Sequence, residues 1–155
     1  MIHIRPMTPD DFDHFWPTFH SVVQARETYA YDPALTFEQA RDLWLKQPQH
    51  TLIAEEDGKV LGSYYLKANA AGPGSHVCNC GYMVTDAARG RGVARLMCEH
   101  SQQLARDSGF LAMQFNSVVA TMKWRSRCGT SSVLRQWVAC PRLIGMPAWG
   151  WWIVW

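Results

Sequence analysis

The segment Gly81 to Ala94, GYMVTDAARGRGVA, constrains the fold of this chain more than any other. A hydrophobic strand leads into it and two glycines turn it. Val93, Leu96, Met97, His100 and Leu104 then follow at helical spacing, and Gly109 stands where a helix C-cap belongs. Leu111 to Val118 supplies a second strand. A strand, helix and strand in this order predict a right-handed crossover between parallel neighbours. Gly90 and Gly92 let the backbone turn tightly and let a large anion approach the peptide N–H groups of the first helical turn. Those groups lack partners within the helix and sit at the positive end of its dipole. With Arg89, Arg91 and Arg95 close in sequence, the segment predicts a diphosphate site.

Upstream, His3 to Arg5 reads as a short strand. Thr8-Pro9-Asp10-Asp11 opens a helix to about Ala25, with Thr8 as N-cap and proline at the first helical position. After a loop with two tyrosines, Thr36-x-x-Gln39 is a capping-box pattern for a second helix to about Leu45. Thr51–Glu55 and Val60–Ala68 flank Asp57-Gly58, a strong hairpin turn, and His76–Val84 forms the strand before the glycine turn. The predicted order is β-α-α-β-β-β-α-β, an α/β fold with a mixed central sheet and flanking helices.

The glycine turn lacks the Gly-Lys-Ser/Thr end of a P-loop, and it has only Gly90-x-Gly92 of the dinucleotide fingerprint. Arg89-Gly90-Arg91-Gly92-Val93-Ala94 instead resembles the coenzyme A loop of the GNAT N-acetyltransferases, Q/R-x-x-G-x-G/A. Its place after a strand, before an amphipathic helix and downstream of a meander adds to the likeness, which spans roughly residues 2 to 121. The resemblance implies the GNAT (acyl-CoA N-acyltransferase) fold, acetyl-CoA as donor and a small-molecule amine as acceptor. It implies that backbone groups of Met83 and Val84 pair with the pantetheine arm, while the N–H groups from Arg89 to Ala94, beside Arg95, hold the pyrophosphate. It further implies that the strand ending at Val84 splays from its neighbour, leaving a gap for the thioester.

Asn79 and Asn116 stand in predicted strands, where asparagine is a poor fit. Either both amides line the acceptor site, or they hydrogen-bond to a bulge or loop, and the physics of the residues leaves both open. The strings Ser75-His76-Val77-Cys78-Asn79 and Phe115-Asn116 also resemble GNAT enzymes that acetylate proline analogues, which implies an amino-acid-like acceptor. Glu27, in the loop after the first helix, is a candidate general base, with a solvated surface acid as its ordinary role; His76 and His100 are other candidates, His100 reading as a packed residue on the apolar face of its helix. Cys78 and Cys80 share a strand face and read as small buried hydrophobes.

A net charge of +2 creates no field that calls for nucleic acid or an anionic membrane. The five cysteines include no C-x-x-C pair and read as free thiols without a metal. The MIHIRPMTPDD terminus has no apolar signal core, so the expectation is a cytoplasmic protein. The resemblance leaves a homodimer open.

The last third departs from the family. No Asp or Glu follows Asp107, and six of the eight tryptophans fall from Trp124 onward. The family's next helix, its Gly-Phe and its two closing strands are not visible in residues 122–155. Read two nucleotides later, the codons of Met122-Lys123 force Glu, those of Trp137-Val138 force Gly, and those of Trp149 to Ile153 force Gly, an aliphatic residue, Val and Asp. The other positions permit the missing helix and Gly-Phe in family order. Residues 1–121 therefore read as the GNAT domain and 122–155 as an aberrant segment from a frame change near codon 121. The alternative functions are an inactive acyl-CoA-binding module and an interaction domain built on the tryptophan tail.

Overall fold

The computed structural model describes residues 1–119, 134–143 and 146–154, with side chains through Phe115. Seven strands form one sheet in the order β1-β2-β3-β4-β5-β7-β6. They are β1 (His3–Pro6), β2 (His50–Glu56), β3 (Lys59–Ala68), β4 (Val77–Val84), β5 (Ala112–Val119), β6 (Leu134–Leu143) and β7 (Met146–Val154). The β4–β5 pairing is parallel and every other neighbouring pair is antiparallel. Helices α1 (Pro9–Ala25), α2 (Phe37–Arg41) and α3 (Val93–Asp107) complete the fold, and a π-helical turn, Asp42–Lys46, extends α2.

Local chemistry accounts for the helix starts. Thr8 accepts from the Asp11 N–H while the Asp11 carboxylate accepts from the Thr8 N–H, and Thr36 and Gln39 make the same reciprocal pair. Each box satisfies two donors that the helix cannot. Arg5 joins the first box to the sheet: its guanidinium donates to Asp11 at 2.7 and 2.9 Å and to Glu55 at 2.7 Å. The β2–β3 hairpin turns on Asp57 and Gly58, both at positive φ (51° and 73°), as the sequence predicts.

Strand alternation sorts the core into two layers. Phe12, Phe15, Phe19, Val23, Ala40 and Trp44 pack with Tyr65 and Met83 on one face. Tyr64, Val93 and Met97 pack with the partly buried Tyr82 and Val84 on the α3 face. The buried Trp44 indole donates to Ser63 Oγ at 2.9 Å, and Ser63 donates to the Leu52 carbonyl at 2.8 Å, so neither polar group is stranded.

One expectation needs correction. The stretch read as lacking the closing strands forms β6 and β7, and β7 pairs along β5 from Ala112↔Val154 to Val119↔Ala148. Pro141, Pro147 and Gly150 hide the two-residue period there. The runs are nonetheless rich in Val, Leu and Trp, which suit a sheet, and β5 would otherwise present an unpaired edge. The proposed boundary at residue 121 and the site of the missing helix lie outside the described residues.

Asp11→Asn tests the joint between α1 and the sheet. The Arg5 guanidinium holds the Asp11 carboxyl well below the usual carboxylate range. A depressed folded-state value means that the contribution is complete above the unfolded carboxylate value of about 4 and is lost as pH falls below it. The substitution is expected to cost about 1–2 kcal/mol at neutral pH and much less near pH 2, read by denaturant unfolding.

Candidate active site

The site is a fork in the sheet. β4 pairs with β5 at three rows only, Val77↔Ala112, Cys78↔Met113 and Asn79↔Gln114. Beyond Asn79 the two strands share no register, so one edge of β4 from Gly81 to Val84 is unpaired by β5. The side of each peptide group follows from three bonds. Asn69 N–H donates to the Val77 carbonyl and Thr85 N–H to the Leu61 carbonyl, so odd residues of β4 bond to β3. Leu111 N–H donates to the His76 carbonyl, so even residues face the β5 side. The N–H and C=O groups of Tyr82 and Val84 therefore face the gap.

This geometry separates the two residues expected along a pantetheine arm. Val84 presents its peptide groups to the gap. Met83 pairs with Ser63 and turns its peptide groups to β3, while Tyr82, which the sequence reading did not name, turns its own toward the gap. Met83 instead buries its side chain beneath α1 and α2.

Asn79 stands at the point where the strands part and is 4 % exposed. Its Nδ2 donates to the Gln114 carbonyl at 2.9 Å, and its Oδ1 accepts from the Tyr65 phenol at 3.1 Å. Of the two readings of this asparagine, the observed bonds are those of a residue that holds the fork. Asn116 falls in β5 within the register irregularity between Phe115 and Val118, and its side chain lies outside those described.

The loop between α1 and α2 closes over the gap. Tyr29 donates its phenol proton to the Tyr82 carbonyl at 3.0 Å. A Cβ at Gly81 would lie 2.5 Å from Tyr65 Cε1 and 2.8 Å from the Tyr29 hydroxyl. Glycine at 81 is thus a condition for two aromatic side chains to cover this backbone. Burial raises the Tyr29 and Tyr65 phenols above the ordinary tyrosine value, so both stay protonated donors. Glu27 is exposed on the same loop, two residues before Tyr29. On the other face, burial pushes the Cys78 thiol up to about 12 and raises Cys80 as well, which suits packed, unreactive thiols.

At the far end of β4 lies the glycine turn. Gly90 and Gly92 have φ of 78° and 79°, with open space where a Cβ would point, so conformation is what demands glycine there. Gly92 is the N-cap of α3, which has no side-chain cap. The turn consumes two of the expected donors, because Arg89 N–H bonds to the Asp86 carbonyl and Arg91 N–H to the Ala88 carbonyl. Gly90, Gly92, Val93 and Ala94 have no such bond among the described residues. The arginine side chains form ion pairs, Arg89 with Asp86, Arg91 with Glu56 and Arg95 with Glu99. The N–H groups of this uncapped helix start, at the positive end of the helix dipole, are the kind of donors an anion can take.

Known proteins share this fold. The acetyltransferase (GNAT) family matches residues 11–123, and the chain belongs to that family. It is similar to a GCN5-related N-acetyltransferase from Kribbella flavida at 37% identity and a TM-score of 0.90, covering 99% of this chain and 98% of that one. The fold is shared with yncA from Salmonella typhimurium, solved with its cofactor acetyl-CoA, at 16% identity, a TM-score of 0.79, and 99% and 92% coverage. N-acetyltransferase aca1 of Schizosaccharomyces pombe is 30% identical over 115 residues, covering 64% of this chain. The chain spans about 55% of the length of that curated relative.

Gly92→Val tests the anion site. A β-branched residue at positive φ costs about 1–2 kcal/mol. Coenzyme A binding by calorimetry is expected to weaken roughly tenfold, while a neutral surface change such as Gln103→Ala leaves it unchanged.

Proposed function

We propose that the protein is an N-acetyltransferase that moves the acetyl group of acetyl-CoA to the amine of a small molecule, an amino acid being the favoured class. The observation that carries this reading is the fork. It offers Tyr82 and Val84 peptide groups along one edge of β4, in line with the uncapped start of α3. The pantetheine arm takes the place of β5 along that edge, and the pyrophosphate meets the N–H groups of Gly90, Gly92, Val93 and Ala94.

The reaction is direct attack. The neutral amine forms a C–N bond to the acetyl carbonyl carbon, and the carbonyl electrons move to oxygen. The Tyr82 N–H, facing the gap, is the donor for that oxyanion. Collapse breaks the C–S bond; the attacking nitrogen gives up its extra proton to water, the departing sulfur takes one from water, and coenzyme A leaves as the thiol. The ammonium acceptor must first lose a proton, and Glu27, on the loop that Tyr29 ties to the gap, is the proposed base through an ordered water. Holding both reactants side by side supplies much of the rate.

The test is release of free coenzyme A from acetyl-CoA against a panel of amino acids, proline analogues, polyamines and peptides. The chain is run beside a version with its frame restored after codon 121. Amine-dependent release, strongest with amino acids, is expected in at least the restored version. Binding of coenzyme A without release in either version would favour an inactive module.

A further inference from the structure

We propose that Lys67 is the anchor for a carboxylate on the acceptor, and that the acceptor is therefore an amine carrying a carboxylate a few ångströms from its nitrogen, as in a free α-amino acid. This inference rests on the acetyl-transfer reading of the fork. Lys67 lies on β3 directly opposite Asn79, the last β4 residue paired with β5. By strand alternation its side chain shares a face with Tyr65, Asn79 and Gly81, the face that the Tyr29 loop covers. Lys67 is half-buried, and its ammonium turns toward the neighbouring row. It sits 5.4 Å from the centroid of the Tyr65 ring, over the phenol that bonds to Asn79 and packs against Gly81.

Among the described residues the charge on this lysine has no carboxylate partner. No acid among the described residues pairs with it, in contrast to Arg5, Lys46, Arg89, Arg91 and Arg95. A partly buried cation held on an aromatic face, with no ion-pair partner among the described residues, is poised for an anion brought by a ligand. The Lys67–Asn79 row is two residues, or about 7 Å, from the Tyr65–Gly81 row, and the flexible side chain leans over that interval. An α-amino acid spans the distance between such an ammonium and a thioester lying beside Gly81 and Tyr82.

The experiment is an NMR titration of the protein in the presence of coenzyme A with matched ligand pairs, L-proline against pyrrolidine and L-alanine against ethylamine. Native protein, Lys67→Met and Lys67→Arg are compared. The native protein is expected to bind at least one amino acid tenfold or more tightly than its decarboxylated partner. Lys67→Met should bring the two members of the pair to equal affinity, while Lys67→Arg should keep most of the difference. Equal binding of each pair by the native protein, an unchanged preference in Lys67→Met, or coenzyme A binding with no amino acid bound would overturn the anchor and leave the acetyl-transfer reading standing. Failure to bind coenzyme A at all would overturn both.

Discussion

The bond from the Asn79 amide to the Gln114 carbonyl sits where two parallel strands stop being a sheet. Parallel strands normally continue to pair until one of them ends. Here β4 runs on to Val84 while its pairing with β5 stops at Asn79. The Asn79 side chain takes up a β5 carbonyl at the last paired row, and its other end is held by Tyr65. An alanine at 79 would remove both bonds and leave the fork defined only by packing. A strand edge kept open at a set position is a costly feature, because unpaired peptide groups seek partners. Its persistence makes sense where a ligand supplies those partners.

The rest of the structure serves that opening. The two capping boxes fix where α1 and α2 begin, and the aromatic layer of Phe12, Phe15, Phe19 and Trp44 fixes their height above the sheet. The loop between them is thereby short enough in reach for Tyr29 to meet the Tyr82 carbonyl. On the opposite face, Val93 and Met97 seat α3 so that its uncapped start lies beyond the end of β4. One strand thus connects the uncapped start of α3 at its C-terminal end to the fork. The chemistry of a thioester carrier, with a diphosphate at one end and a reactive carbonyl at the other, matches that layout.

Much of this is legible in the residues. The pairs Thr8/Asp11 and Thr36/Gln39, the Asp57-Gly58 turn and the Gly90-Arg91-Gly92 turn each state a local conformation that only a few residue types support. What is not legible depends on pairing between distant strands. Which β4 peptide groups face the gap turns on the Leu61↔Thr85 and Val77↔Asn69 bonds, so Met83 could not be told from Tyr82 by sequence. Gly81 reads as an ordinary strand glycine until Tyr29 and Tyr65 are seen against it. Lys67 reads as a lysine near a strand end, and only its register opposite Asn79 gives it a place. The final strands were obscured by proline and glycine in a segment whose composition pointed elsewhere.

The account turns on a coenzyme arm lying in the fork with its phosphates at the start of α3. Backbone amide shifts during titration with coenzyme A report this residue by residue. The largest changes are expected at Tyr82, Val84, Gly90, Gly92, Val93 and Ala94, with Thr51, Leu52 and Ile53 of β2 nearly silent. Saturable binding that leaves the Tyr82 and Val84 amides unmoved while shifting resonances elsewhere would contradict it.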